Sequence, residues 1–287
     1  EIPFFFNTKK GIFFTMLDSM VIFGILNVTS DSFSDGGEFL EETKAEEKGH
    51  EIIATGAEVI DISAQSSNIN AVQIEPELEW NRIANLIQKF QTSGYKISVD
   101  TYKPFVIQKS IEAKVDYINC INSFRDKKSL EVLAANQNLL PELIIMYSHN
   151  NGDMAEAKSD LTPNTIMDSI YQFFDAKVSE LQKVGVPESK LIFDPGMGLF
   201  LGADPLLSIE VLKNISEFKK RYGRVMVSVS RKSFIGNLLG GIPPKERGTG
   251  TLATEIFLYQ QKIDFIRTHD VKQLSQAMTI WDLLKVN

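Results

Sequence analysis

Chemistry-bearing side chains gather in this chain where apolar runs stop. The run at 22–26 (IFGIL) ends at Asn27 and passes into a small, polar stretch, VTSDSFSDGG, with Phe33 inside it. The run at 58–63 (EVIDIS) carries Asp61 and is followed by Ser66 and Ser67. Later runs deliver Asp100, Asn119, Tyr147, Asp194, Ser230 to Lys232, and Arg267 to His269 in the same way. Asp100, Asn119 and Asp194 form an acceptor-rich group, and Lys232, Arg267 and His269 a cationic one. Acceptors between apolar walls pair with a planar group rich in N–H donors, and a missing partner there costs affinity heavily. The cationic group suits a phosphate. Together they point to a flat, donor-rich heterocycle bearing a phosphate or diphosphate. Taken singly, each residue also has a structural reading as a salt bridge or a helix N-cap, and Asp100 is placed to cap a helix starting at 103.

The elements that must position these residues alternate along the chain. After the first strand, apolar runs at 58–63, 95–99, 116–119, 142–147, 190–194, 224–229 and 264–268 read as seven more strands. Between and after them, 41–55, 76–91, 103–113, 130–137, 163–184, 205–221, 246–261 and 271–284 read as helices. Eight strand–helix pairs, with no second domain's worth of residues left over, is the count of a single (β/α)8 TIM barrel in the α/β class. A doubly wound open sheet is the alternative, and it would show a glycine-rich phosphate turn after the first strand; none is present. In a barrel the strand ends face one opening, and the last two strands are where phosphate is often held.

Composition narrows the partners. The chain has 287 residues, 43% of them apolar, enough for one sizeable core. A net charge of −7 argues against nucleic acid and against anionic membranes as general partners. The single Cys120 excludes an internal disulfide and a cysteine zinc site, and fits a reducing cytoplasm. The apolar runs at 3–6 and 11–14 are too short to span a membrane. Residues 1–20 read as an N-terminal extension or leader with no assigned function, and 21–287 as the barrel.

Five stretches resemble the motifs of the dihydropteroate synthases, in that family's order: the opening IFGILNVTSDSFSDGG, SVDTYKP (98–104), DPGMG (194–198), SVSRKSFIG (228–236) and RTHD (267–270). The resemblance covers nearly everything from 21 onward. It implies a pterin-binding barrel that condenses 6-hydroxymethyl-7,8-dihydropterin diphosphate with p-aminobenzoate, giving 7,8-dihydropteroate and diphosphate. Carried over by position, Asp194 and Asn119 would bind the amino-pyrimidine edge of the pterin and Lys232 its carbonyl side. Asp100 would face the ring nitrogens. Arg267, His269 and Asn27 would hold the diphosphate, with Asn27 also meeting Mg²⁺. Ser66, Ser67 and Ser233 would meet p-aminobenzoate, with Phe33 as a cover, although the serines also suit ordinary loops. Diphosphate neutralised by Mg²⁺ and two cations would depart readily, and the arylamine would attack the methylene cation left behind. The family's habit also implies a homodimer through the last helices, which Phe257, Leu258, Met278, Ile280 and Trp281 allow.

The chain departs from the family pattern in places. AQSSNIN (64–70) stands where GESTRP is usual, Cys120 where Asp follows the strand-four Asn, and Tyr147 where His is usual. The SSN stretch and the DPGMG-x-FLG pattern are similar to the sulfonamide-resistant branch, where changes in the second loop and near Phe124 would wall the amine site. Cys120 and Tyr147 would alternatively mark a catalytically weak, pterin-binding paralogue. A pterin-binding methyltransferase domain sharing the barrel is the rival enzyme class; the SRKS segment and the serine-rich first loop favour the synthase.

Overall fold

The computed structural model describes residues 5–6, 13–14, 20–28, 38–65, 73–150 and 155–285. A two-residue strand β1 (Phe5–Phe6) pairs antiparallel with β2 (Phe13–Phe14) ahead of the barrel strands in sequence. Eight parallel strands follow: β3 (Val21–Asn27), β4 (Val59–Ser63), β5 (Lys96–Asp100), β6 (Tyr117–Cys120), β7 (Glu142–Met146), β8 (Leu191–Asp194), β9 (Met226–Val227) and β10 (Phe265–Thr268). Their spatial order is β8-β7-β6-β5-β4-β3-β10-β9. A parallel bridge from Phe193 to Val225 joins the two ends, with the Phe193 amide donating to the Arg224 carbonyl at 2.9 Å. The sheet therefore closes into the expected barrel.

Period-two alternation divides each strand between two apolar layers. Phe23, Val59, Tyr117, Ile144, Ile192, Met226 and Phe265 meet inside the barrel and form its apolar floor. Ile22, Ile60, Ile62, Ile97, Val99, Ile118, Cys120, Leu143 and Ile145 face the other way, into the larger core under the helices. The helices are α1 (Glu38–Ala54), α2 (Pro76–Thr92), α3 (Pro104–Glu112), α4 (Lys127–Ala135), α5 (Ile166–Lys183), α6 (Pro205–Lys213), α7 (Ile215–Tyr222), α8 (Ser233–Leu238), α9 (Gly248–Gln260) and α10 (Val271–Lys285). Among the described residues no helix is long and apolar enough to cross a membrane.

Two elements differ from the sequence reading. The single helix expected over 205–221 is two, because Asn214 turns its amide back onto the Glu210 carbonyl at 2.9 Å and ends α6 there. The strand expected over 224–229 is assigned only at Met226–Val227, and the short α8 beyond it follows directly on Lys232. Carboxylates that precede strands serve the opposite end of the barrel from those that follow them. Glu58, Asp116 and Asp264 accept the backbone N–H groups of Ile22, Ile97 and Val225 at 2.8, 2.8 and 2.9 Å.

Candidate active site

Above the apolar floor the inward positions turn polar. The next inward residue on β4 is Asp61, fully buried, and on β10 it is Arg267. Arg267 Nε donates to Asp61 Oδ2 at 2.5 Å, and its Nη2 donates to Asp100 Oδ2 at 2.7 Å. One guanidinium thus ties β10 to both β4 and β5. Asn119, buried on β6, lies in register with Asp100, and Asp194, buried on β8, lies in register with Met146.

A cavity of about 440 Å³ opens over this layer. Of the residues singled out from the sequence, Asn27, Asp100, Lys232, Ser233, Arg267 and His269 line it. Asn119 and Asp194 sit buried at neighbouring strand ends. Ser66, Ser67 and Phe33 lie outside the described residues.

Burial sets the charges in this layer. It raises Asp100 to about 7, against the pull of Arg267, with Asp61 adding repulsion. It raises Asp194 to about 6, although the Gly196 amide donates to Asp194 Oδ1 at 2.8 Å. It lowers Lys232 to about 8, helped by repulsion from Arg267 and opposed by Asp194 and Asp100. The Lys232 ammonium stands 4.6 Å from the centre of the Phe200 ring, whose face favours the charged form. Burial disfavours the Arg267 charge, but Asp61 and Asp100 hold its pKa above the usual guanidinium range. Burial lowers His269 to about 4, with Arg267 and Arg231 adding repulsion. His269 is therefore neutral near pH 7, which corrects the expectation of a second cation beside Arg267.

Glycine 196 explains part of the DPGMG spelling. Its φ is +72°, and a Cβ there would stand 2.3 Å from the Tyr147 carbonyl oxygen. Only glycine fits that turn, and the turn delivers the amide that Asp194 accepts. A second motif residue is equally local: Arg231, at φ +57°, pairs with Asp270 at 2.7 Å and leaves the adjacent Lys232 in the cavity wall.

The chain leaving β4 is gripped where it departs and where it returns. The Ile74 amide donates to Gln65 Oε1 at 2.9 Å. The Lys103 ammonium also reaches Gln65 Oε1, at 3.4 Å, and the Ile74 carbonyl. Lys103 is itself held 2.8 Å from the buried Glu79 Oε2 as an ion pair off the hydrogen-bond angle, while Thr101 donates to Glu79 Oε1 at 2.6 Å.

Several participants carry no strand-end signal. Asp61 lies mid-strand, and its inward direction follows only from alternation with Val59. Arg247 enters the cavity from the segment after α8, donating to the carbonyls of Ile242 and Arg231 at 3.0 and 2.9 Å. Conversely, three residues suspected from the sequence face away. Phe124 is fully buried in the core under the helices and does not wall the site. Cys120 packs in that same core, its Sγ donating to Asn122 Oδ1 at 3.1 Å. Tyr147 joins it there, with its hydroxyl 2.8 Å from Ser169 on α5. Alternation turns residue 119 inward and residue 120 outward, so these family departures leave the lumen intact.

Comparison with known proteins decides among the barrels this site would fit. The family model for pterin binding enzymes matches residues 23–269. The chain is 40% identical over 260 residues to a dihydropteroate synthase type-3 from Escherichia coli, covering 90% of this chain and 97% of that one. The chain belongs to the dihydropteroate synthase family.

Solved members of the dihydropteroate synthase family share the fold. One from Clostridium difficile, determined in the presence of pteroic acid, superposes with a TM-score of 0.81 at 31% identity, covering 93% of this chain and 97% of that one. One from Xanthomonas albilineans with 4-aminobenzoic acid gives 0.82 at 26% identity, covering 96% of each. Like the family's other members, the chain is a transferase.

Proposed function

We propose that the cavity condenses 6-hydroxymethyl-7,8-dihydropterin diphosphate with p-aminobenzoate to give 7,8-dihydropteroate and diphosphate. The observation that carries this reading is one cavity lined by Asp100, Lys232 and Arg267, with the buried acceptors Asn119 and Asp194 on strands of the same barrel beside it. The relatives solved with pteroic acid and with 4-aminobenzoic acid support both halves of the substrate pair.

In this reading Asp194 and Asn119 accept from the amino-pyrimidine edge of the pterin, and Lys232 donates to its carbonyl side. Asp100 faces the ring nitrogens. Asn27, Arg267 and His269 hold the diphosphate. Because Asp61 and Asp100 engage two Arg267 nitrogens, the remaining N–H groups serve the anion. Ser233, from the cavity wall, meets p-aminobenzoate together with Ser66, Ser67 and Phe33. The C–O bond to diphosphate breaks with its electron pair leaving on oxygen. The methylene cation that remains is conjugated with the pterin and stabilised by ionised Asp100. The arylamine nitrogen bonds to that carbon and sheds one proton to solvent. No side-chain nucleophile is needed.

Among the described residues no three His, Cys, Asp or Glu side chains form a metal cage. Asn27, which lines the cavity, would hold Mg²⁺ through its amide oxygen alongside the bound diphosphate. When bound, the ion supplies charge neutralisation to the leaving group.

The test is diphosphate release from the pterin diphosphate with Mg²⁺, with and without p-aminobenzoate. Release that depends on p-aminobenzoate is expected; tight pterin binding without turnover would overturn the reading. A sulfamethoxazole arm tests the companion proposal, motivated by SSN at 66–68, that the amine site rejects sulfonamides. Inhibition at the level of an ordinary sensitive enzyme defeats it. A homodimer through α9 and α10 is also proposed: Phe257 and Ile280 are exposed there, whereas Leu258 is core. A monomer mass by sedimentation at assay concentration rejects that assembly.

A further inference from the structure

His269 sits at the end of a chain of hydroxyl and carboxyl groups that the mechanism above does not use. Its Nδ1 lies 3.0 Å from Ser230 Oγ. The same oxygen accepts the His269 backbone N–H at 3.2 Å and the Thr268 hydroxyl at 3.4 Å. The Thr268 side chain is in turn hydrogen-bonded to Glu255 of α9, a carboxyl that is almost wholly buried. The Thr268 oxygen also accepts the Asp270 amide at 3.2 Å.

The proton count along this chain is closed. A serine hydroxyl has one proton and two acceptor lone pairs. Both lone pairs of Ser230 are filled, by the His269 amide and by Thr268, so its own proton is left for Nδ1. An Nδ1–H imidazole, or an imidazolium, would aim a third donor at an oxygen with no lone pair left. Thr268 gives its proton to Ser230 only if Glu255 does not claim it as a carboxylate. Burial raises Glu255 to about 8, against the pull of its contact with Thr268 and with Asp270 adding to the rise, so near pH 7 the carboxyl is protonated and has a proton to offer Thr268. One Glu255 oxygen, Oε1, has no partner and is buried, as expected of a neutral acid whose other oxygen carries the contact.

We propose that Glu255, Thr268 and Ser230 form a proton-ordered chain that holds His269 as the neutral tautomer with its proton on Nε2. The imidazole then offers the cavity one directed N–H donor and no charge. Arg267, Arg231 and Lys232 surround the ring with positive charge, and Asp270 supplies the opposing negative charge. Ser230 and Glu255 are positioning residues in this scheme, acting through His269. Only the kinetic consequence rests on the proposed diphosphate site; the tautomer does not.

The decisive experiment is long-range ¹H–¹⁵N correlation on the protein labelled with [¹⁵N]histidine at pH 7.5, without substrate. The chain has 3 histidines, so His269→Gln assigns the signal. A pyridine-type Nδ1 and a pyrrole-type Nε2 are expected. A pyrrole-type Nδ1, or the imidazolium pattern, overturns the proposal. Ser230→Ala should mix the two tautomers, and Ser230→Thr should restore one. Glu255→Gln keeps a donor at the far end and should keep the pattern, whereas Glu255→Leu should lose it. An unchanged signal in Ser230→Ala refutes the chain. In turnover assays Ser230→Ala should raise KM for the pterin diphosphate roughly threefold to tenfold, the range of one neutral hydrogen bond, with kcat moved less. Failure of wild-type turnover with the expected tautomer intact would reject the assigned reaction and leave the chain standing.

Discussion

Arg267 on β10 and Asp100 on β5 meet at 2.7 Å above the apolar floor, although β3 and β4 separate their strands in the sheet. The contact crosses the lumen, so one guanidinium governs both the acceptor arc and the cationic arc. Asp61, under the same guanidinium, completes the layer.

The activity should have a narrow pH optimum. kcat/KM reports groups of the unliganded enzyme. Asp100 titrates near 7 and Lys232 near 8, so the profile should rise as Asp100 loses its proton and fall as Lys232 loses its own. Asp100→Asn should cost at least about a hundredfold in kcat/KM and move the acid limb down toward 6, where Asp194 titrates. An acid limb that stays near 7 after the substitution would reassign it.

The same substitution should not weaken the fold at pH 8. Asp100 has its folded pKa raised above the unfolded value of about 3.9. Between roughly pH 4 and 7 the native state therefore binds more protons than the unfolded chain. The contribution of this group to stability falls as pH rises through that window. Asp100→Asn should show a denaturation midpoint at pH 8 equal to or above wild type. A clear drop in urea titration would mean that the ion pair with Arg267 outweighs the burial of the charge.

Removing Arg267 should be far more costly to the fold. Arg267→Met leaves Asp61 fully buried without its counter-charge, a change of about 3–5 kcal/mol by chemical denaturation. Adding Asp61→Asn should recover a large part of it. A single-variant loss below about 1 kcal/mol would show that the pair does not hold the layer.

Lys103 should matter for one substrate more than the other. It grips both Gln65 and Ile74, the two ends of the segment bearing Ser66 and Ser67. Lys103→Met should raise KM for p-aminobenzoate more than KM for the pterin diphosphate. Equal changes in both constants would reduce Lys103 to a purely structural pairing with Glu79.

Strand ends were legible because each apolar run stops abruptly at a polar residue, and that rule located Asn27, Asp100, Asn119, Asp194, Arg267 and His269. The closed barrel followed from the regular alternation of runs. Asp61 escaped a role because it sits inside its run, where hydropathy reports burial and only alternation reports direction. Arg247 escaped because its place in the helix expected over 246–261 is not a strand end, whereas the helix begins only at Gly248 and leaves Arg247 in the connection before it. The charge of His269 was misread because composition says nothing of burial or of the arginines folded beside it. Cys120 and Tyr147 drew suspicion from their nearness in sequence to site residues, but in a strand the next residue is on the opposite face.

That opposite face gives Cys120 a use as a reporter. It is fully buried under the helices, and burial raises its thiol to about 12. Alkylating reagents attack the thiolate, so the native chain should be nearly inert to iodoacetamide at pH 8. Labelling then requires the helical layer to lift from the sheet, and with the reagent in excess its rate counts those openings. One sulfur atom, monitored by intact mass, becomes a clock for how often the barrel comes apart and for how far a bound substrate slows it.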